Sequence, residues 1–132
     1  MPDNEAPDIV EHASALSFDR TLDRLVEAIE RAGMTVFARI DHAANARGVG
    51  ATMPPAIVLI YGSPKGGTPI MVQTPPAALD LPLRVLVQER ADGKVVVAFH
   101  PVAAMLRRSG VPPEVAARLE PAQRVLVQAI EP

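Results

Sequence analysis

The polar residues that could do chemistry stand in two short segments of the chain. One is the pair Asp41-His42, and the other is GSPKGGT at residues 62–68, which contains a lysine, two adjacent glycines and two hydroxyl groups. A histidine can transfer a proton, bind a ligand or cap a secondary-structure element. A lysine and successive glycine amides can hold an anion. The candidate ligand-binding residues are Asp41, His42, Ser63, Lys65, Gly66, Gly67 and Thr68.

The glycine-rich segment matches neither common nucleotide-binding motif. In a Walker A loop the lysine follows the glycines, whereas Lys65 precedes Gly66 and Gly67, and no GxGxxG sequence is present. Pro64 and Pro69 also lack the amide hydrogens that a phosphate cradle uses. Two interpretations stay open: a looser anion-binding nest built from the amides of residues 65–67, and a long turn that needs glycine backbone.

The histidines predict neither a metal site nor a standard catalytic triad. His12, His42 and His100 are separated by 30 and 58 residues, whereas zinc sites usually contain a closely spaced pair of ligands. The chain has no cysteine, which excludes thiolate chemistry and disulfides. Ser63 lies in GSPK rather than in the GxSxG sequence of a serine hydrolase. We expect no metal and no cofactor, and the residues favour a non-enzymatic role over an enzyme.

Composition limits the partners and the location that we expect. Thirteen basic and fifteen acidic residues give a net charge of −2 without a basic run, so we expect no nucleic-acid partner. Three phenylalanines, one tyrosine and no tryptophan also disfavour a base-stacking surface. No apolar run approaches the roughly 18 residues of a membrane span, and the start MPDNEAPD lacks the apolar part of a signal peptide. We expect a cytoplasmic protein without membrane contact.

The pattern of apolar residues predicts one α+β domain at residues 8–132, after a disordered polar tail at residues 1–7. Alternating or continuous apolar residues predict strands at 8–16, 34–42, 56–61, 82–89 and 94–100. The predicted order is strand, helix, strand, short helix, strand, long loop, strand, strand, helix, helix. The long loop extends to about residue 80 and contains a short helix near 70–74. This order corresponds to a mixed sheet of about five strands with helices mainly on one face.

The pentapeptide RVLVQ occurs twice, at residues 84–88 and 124–128. The first copy precedes the turn signal Asp92-Gly93, which predicts a strand in a hairpin. The second copy follows Pro121 and continues a helical spacing of apolar residues, which predicts a helix. Because local propensity is a weak determinant, the surroundings of each copy must decide its structure.

Three segments carry a resemblance to a known family. DHAANARGVGATMPP (41–55), LIYGSPKGGTPIM (59–71) and LDLPLRVLVQE (79–89), followed by DGKV, resemble the uncharacterised bacterial and archaeal family catalogued as domain of unknown function 302. The resemblance covers about residues 15–105. Tyr61 stands where the family usually has phenylalanine, and Ser63 where it has asparagine. The resemblance implies a small α+β domain that tends to form dimers, without a settled activity or catalytic residues to carry over.

His42 and Lys65 are the motif residues that turn geometry and packing explain least. If the strands at 34–41 and 56–61 are parallel, their carboxyl ends meet at one sheet edge and both side chains face one cleft. If the strands are antiparallel, the two groups lie at opposite edges. The first hypothesis is a dimeric, non-catalytic module that binds a small ligand, anionic if Lys65 contacts it, in that cleft. The second is an enzyme with His42 as acid–base and Lys65 as electrostatic stabiliser. The third is a purely structural interaction domain.

A homodimer is the partner that the predicted architecture favours. Helices mainly on one side of the sheet leave the second face without cover. The strands at 56–61 and 95–99 carry no charged residue, so an uncovered face would expose apolar surface. A second copy of the chain would cover it.

Overall fold

Five strands form one sheet in the computed structural model, which describes residues 8–132. The tail predicted at residues 1–7 lies outside the described residues. The strands are β1 (Val10–Ser14), β2 (Thr35–Asp41), β3 (Ala56–Gly62), β4 (Leu83–Glu89) and β5 (Val95–Phe99), in the spatial order β1-β5-β4-β3-β2. The predicted α+β class and the five strands are confirmed.

All four pairings between neighbouring strands are antiparallel. The parallel arrangement of the strands at 34–41 and 56–61, on which a shared cleft depended, is therefore wrong. The connection between them holds only a seven-residue helix, α2 (His42–Gly48). A parallel pair needs a connection that crosses the sheet, usually with a longer helix that packs on it. Here the short helix reverses the chain, and β3 returns alongside β2.

The remaining helices follow the strands in sequence. They are α1 (Phe18–Arg31), α3 (Pro64–Gln73), α4 (Val102–Arg107), α5 (Pro113–Ala116) and α6 (Glu120–Ala129), with short 3-10 turns at Pro75–Leu79 and Ala117–Leu119. The start of α1 is the predicted one, because the Ser17 hydroxyl accepts a hydrogen bond from the Arg20 amide at 3.2 Å. Within residues 8–132, no helix combines the length and the apolar character that crossing a membrane requires.

The hydrophobic core lies on one face of the sheet. Alternate residues of the central strands point into it, and Leu59, Val85, Val87 and Val97 are 0–1% exposed. Helices α1, α3, α4 and α6 contribute the opposing side chains, which include Leu25, Ile70, Leu106 and Leu126. The predicted placement of helices mainly on one face is confirmed.

The opposite face of the sheet, which we call the open face, is outside this core. Its side chains come from the alternate positions of the same strands: Ala38, Ile40, Val58, Ile60, Arg84, Leu86, Gln88, Val96 and Ala98. Most of them are apolar, and none belongs to the core cluster. The open face is therefore mainly apolar, and its polar side chains include Arg84 and Gln88 of the central strand β4 and Glu11 of the edge strand β1, opposite Ala98.

The segment that was expected to be a long loop is mostly helical. Helix α3 begins at Pro64, six residues before the short helix expected near 70–74. The Ser63 hydroxyl caps it, and proline is favoured in the first helical turn because its missing amide hydrogen is not needed there. Gly66 and Gly67 are poor helix formers, so the sequence alone suggested a loop. Burial of Ile70 against the core stabilises the helix instead.

The two copies of RVLVQ adopt different structures, as predicted. The first copy forms most of β4, and the second lies in the middle of α6. In β4 the valines at 85 and 87 alternate into the core, whereas in α6 only Leu126 of the copy is fully buried. The same five residues therefore present a different apolar surface in each setting.

We expect Val125→Pro to destabilise the protein by about 3 kcal/mol, because proline in a helix interior removes one hydrogen bond and collides with the preceding turn. Val125→Ala is the control, since it shortens the same half-buried side chain but preserves the helix. Urea denaturation followed by circular dichroism measures both variants. Equal losses in the two variants would contradict a helical role for this copy.

Candidate functional site

His42 and Lys65 lie at opposite ends of β3. Asp41 pairs with Ile57 at the start of β3, whereas Lys65 follows the end of that strand at Gly62. Seven extended residues span roughly 20 Å, at about 3.3 Å per residue. The expected single cleft between His42 and the 62–69 segment is therefore wrong. Within one chain, His42 and Lys65 therefore cannot act together on one small substrate.

Asp41 has a structural role at the start of α2. Its carboxylate Oδ1 accepts a hydrogen bond from the Ala44 amide at 2.9 Å, which caps the helix. His42 is the first residue of that helix, and its side chain is exposed. The carboxylate is thus used by the backbone, and His42 remains accessible to a ligand.

The anion nest that was one of two interpretations of residues 65–67 is not available to the two glycine amides. The amides of Gly66 and Gly67 donate to the Ser63 carbonyl oxygen at 3.0 and 2.9 Å, as the first turn of a helix requires. The Gly66 amide also lies 3.4 Å from the Ser63 hydroxyl. These two donors are satisfied within the chain. Lys65 is exposed in the same turn and lines neither of the two cavities described below.

One cavity lies behind α3, and we call it the α3 pocket. It encloses about 230 Å³. Its apolar wall includes Met34, Phe37, Met71, Leu81 and Leu119. The candidate residues Ser63, Gly67 and Thr68 line the same pocket, so the structure brings these three together.

A second, shallower cavity of about 390 Å³ lies on the open face, and we call it the open-face groove. Its floor includes Val58, Ile60, Leu86 and Ala98, and three basic side chains line it: His42, Arg84 and His100. Of the candidate residues, only His42 is found here. Within residues 8–132, no three histidine or carboxylate side chains come together as a metal site would need.

Arg84 is the functional candidate that the sequence did not single out. It is exposed and lies opposite Ile60 of β3, with Leu86 as the next residue on the same face of β4. No carboxylate of residues 8–132 is within ion-pair distance of it, whereas the Arg90 guanidinium lies 2.5 Å from Glu11. The available signal was an arginine at an alternating position of a central strand, where an apolar residue is usual.

The His100 ring lies at one end of the open-face groove, and a hydrogen bond to the backbone defines its tautomer. Its Nδ1 lies 2.6 Å from the carbonyl oxygen of Asp8, and a carbonyl can only accept, so Nδ1 donates. In the neutral ring, Nε2 is then an acceptor, and protonation turns it into a donor. By register, His100 continues β5 opposite Arg84, so both basic groups face the same end of the groove.

Two buried polar groups connect the C-terminal helix to the sheet. The Tyr61 hydroxyl donates to the Ala122 carbonyl oxygen at 3.1 Å, and burial raises the pKa of that hydroxyl well above its ordinary value. The Gln123 side chain accepts from the Val102 amide at 3.0 Å and donates to the His100 carbonyl at 2.7 Å. These bonds fix α6, which carries Ala122 in the wall of the α3 pocket.

A family model described as "Domain of unknown function DUF302" matches residues 10–131, almost all of the described chain. The chain belongs to the DUF302 family. The resemblance inferred from the residue motifs is confirmed, and the matched range exceeds the 15–105 range that those motifs covered.

A solved DUF302 structure has the same fold. The crystal structure of an uncharacterized conserved DUF302 protein from Bacillus stearothermophilus superposes with a TM-score of 0.81 at 13% sequence identity. The match covers 95% of this chain and 97% of that one. At this identity the likeness concerns the fold alone.

Curated relatives of this DUF302 chain are longer proteins. The chain is 36% identical over 92 residues to "Fluoride-specific ion channel FluC 1" of Brucella suis biovar 1, which is 70% of this chain and 36% of that protein. It matches FluC 1 of Brucella abortus biovar 1 at the same identity, over 34% of that protein. The chain thus spans about a third of the length of the curated relatives that it matches.

The buried tyrosine predicts an alkaline loss of stability. Tyr61 is the only tyrosine, and in the unfolded chain it ionises near pH 10. Because burial raises its pKa in the folded state, the folded state retains the proton above pH 10 and the unfolded state loses it. Stability should be fully present below pH 10 and fall above it by up to about 1.4 kcal/mol per pH unit.

Tyr61→Phe tests this prediction in the same experiment. At pH 7 we expect a loss of about 1 kcal/mol, from the missing hydrogen bond to Ala122. Denaturant unfolding between pH 8 and pH 11 should show the tyrosine-dependent decline in the wild type and not in the variant. A parallel decline in both proteins would assign the alkaline loss to other groups.

Proposed function

We propose that this DUF302 domain is a non-enzymatic binding module, which associates as a homodimer and takes a small organic carboxylate in the open-face groove. The observation that carries the proposal is Arg84, a guanidinium without a carboxylate partner among residues 8–132, in the centre of an apolar sheet face. Because Arg84 is exposed and no carboxylate of residues 8–132 occupies its guanidinium donors, those donors are open to a ligand.

The chemistry around Arg84 fits a carboxylate that carries an apolar group. A guanidinium offers two parallel donors that match the two oxygens of a carboxylate. Ile60 and Leu86 flank it with apolar surface, on which the remainder of such a ligand would lie. A small number of polar groups in an otherwise apolar site is the usual composition of ligand pockets.

The two histidines of the groove extend this site. His100 lies at the Arg84 end, and its Nε2 can donate to a ligand when the ring is protonated. His42 lies at the other end, exposed at the start of α2. A ligand with a second polar group could contact His42 while its carboxylate binds Arg84.

The open face is also the surface through which the homodimer would form. The apolar side chains of the open face, among them Ile40, Val58 and Leu86, do not belong to the hydrophobic core. Two sheets that pack face to face lie about 10 Å apart and interleave such side chains. A second copy would therefore cover the groove and exclude water from the Arg84–carboxylate pair, which strengthens that interaction.

A second candidate function is an accessory role beside an ion-transport protein. It is favoured by the similarity to the two Brucella proteins named as fluoride-specific ion channels, in which the matched segment is about a third of the length. In that case the unpaired Arg84 would bind a small inorganic anion rather than an organic carboxylate.

The dimer predicts a sedimenting mass of about twice the 14.0 kDa of one chain at micromolar concentration. Leu86→Glu should yield a monomer, because it introduces a charge at the centre of the open face. Leu79→Glu is the matched control, since Leu79 is 88% exposed in the turn before β4 and away from that face. A wild type that sediments only as a 14 kDa species would end the dimer proposal.

The ligand class predicts a graded response to straight-chain carboxylates. From acetate to octanoate, at constant ionic strength, affinity should rise about fourfold for each methylene that becomes buried, which corresponds to about 0.8 kcal/mol. Arg84→Gln should remove this binding, and Arg47→Gln should not, because Arg47 is exposed at the end of α2.

Isothermal titration calorimetry measures carboxylate binding by the wild type and by both variants. A separate titration series compares sodium fluoride with sodium chloride. Arg84-dependent heat of binding with fluoride and not with chloride would favour the accessory role. Carboxylate affinities that are independent of chain length and of Arg84 would contradict the proposed site.

A further inference from the structure

We propose that the α3 pocket is a second binding site, specific for a small, uncharged aromatic molecule of about nine non-hydrogen atoms. This inference is independent of the open-face groove, because the two cavities share no lining residue. It assigns a role to the glycine-rich segment, which the proposed function does not use.

The size of the pocket sets the size of the ligand. An apolar cavity of about 150 Å³ binds benzene, which has six non-hydrogen atoms. The α3 pocket has a volume of about 230 Å³, which is roughly one and a half times that of the benzene-binding cavity. A molecule of the size of indole fits this volume, whereas a nucleotide or a haem does not.

The walls set the chemistry of the ligand. None of the described residues that line the pocket is charged, so a charged molecule would lose its hydration without gaining a partner there. The thioethers of Met34 and Met71 and the ring of Phe37 are groups that contact aromatic ligands favourably. The hydroxyls of Ser63 and Thr68 provide hydrogen-bonding positions for one polar atom of the ligand.

The glycine at position 67 supports a functional role for the volume of the α3 pocket. It is buried in α3, where glycine is among the least favourable helix residues. A Cβ atom at this position would lie 3.8 Å from both Leu81 Cδ1 and Met71 Cε, which is ordinary van der Waals contact. Sterics and backbone geometry therefore do not require glycine. An alanine would stabilise the helix and fill part of the pocket, so glycine keeps the pocket open at a cost in stability.

Gly66 offers a matched control in the same turn. It is exposed and does not line the pocket, and a Cβ atom there would also meet only ordinary contacts. Substitution of either glycine by alanine should raise the unfolding midpoint to a similar extent, because both positions are helical. Only the change at Gly67 should weaken binding. Gly67→Ala should thus raise stability and weaken binding, whereas Gly66→Ala should raise stability and leave binding unchanged.

The NMR chemical shifts of the methionine methyl groups report directly on the binding of indole, the probe, in the α3 pocket. Met34 and Met71 line the pocket, Met53 is 43% exposed outside it, and Met105 is buried in the core. We expect saturable ring-current shifts of the Met34 and Met71 methyl signals, and unchanged signals from Met53 and Met105. Indole-3-carboxylate should bind at least tenfold more weakly than indole, since it has the same ring and a negative charge.

The glycine variants distinguish binding of indole in the α3 pocket from its unspecific association with the protein. Gly67→Ala should weaken indole binding several-fold and Gly67→Leu should abolish the shifts, whereas Gly66→Ala should bind indole as the wild type does. If Gly67→Leu does not fold, the comparison of the two alanine variants carries the test. The proposal is overturned by absent or unsaturable shifts up to millimolar indole, by equal shifts at Met53, or by undiminished binding in Gly67→Ala.

Discussion

Only one face of the sheet packs against the helices, and the position of Arg84 follows from that constraint. Side chains alternate along each strand, so a strand with one face in the core must present the other to whatever lies beyond. In β4 the valines at 85 and 87 are buried, and Arg84 and Leu86 consequently lie on the open face. A shift of one residue in the register would bury the guanidinium and expose the valines, which the burial of apolar area forbids.

The single cleft expected from the motifs resolves into two cavities of different chemistry. Antiparallel pairing of β2 with β3 separates the His42 end of the sheet from the end that carries α3. The open-face groove is lined by three basic side chains and the α3 pocket by none. One chain can thus present a basic groove and an apolar pocket, because the described residues that line the two cavities are different.

The C-terminal helix is held by polar groups whose loss would affect both cavities. Gln123 satisfies the first amide of α4 and the carbonyl of His100, so the end of β5 near the open-face groove depends on it. Tyr61 bonds to Ala122 in the wall of the α3 pocket. Such buried bonds add about 1 kcal/mol each, but an unpaired partner costs more, so they fix the position of α6 rather than supply most of its stability. Apolar burial of Leu126 and Ile130 supplies the larger part.

The elements with strong apolar periodicity were predictable from the amino-acid sequence. It located all five strands to within one or two residues, the cap of α1 at Ser17, and the different structures of the two RVLVQ copies. It also predicted a one-sided sheet, because the strands and helices occur in an order that places the helices on one face. The motifs were sufficient to indicate the family.

The pairing of β2 with β3 and the helical structure of the glycine-rich segment depend on tertiary contacts that the local sequence does not encode. Strand direction depends on whether a connection crosses the sheet, and a short helix with a proline-containing return does not encode this locally. Gly66, Gly67 and Pro69 disfavour a helix as isolated residues, yet burial of Ile70 outweighs that local preference. Arg84 gained its significance in the same way, since an arginine in a strand becomes a candidate site only when its neighbours across the sheet are apolar and, as here among residues 8–132, no carboxylate reaches it.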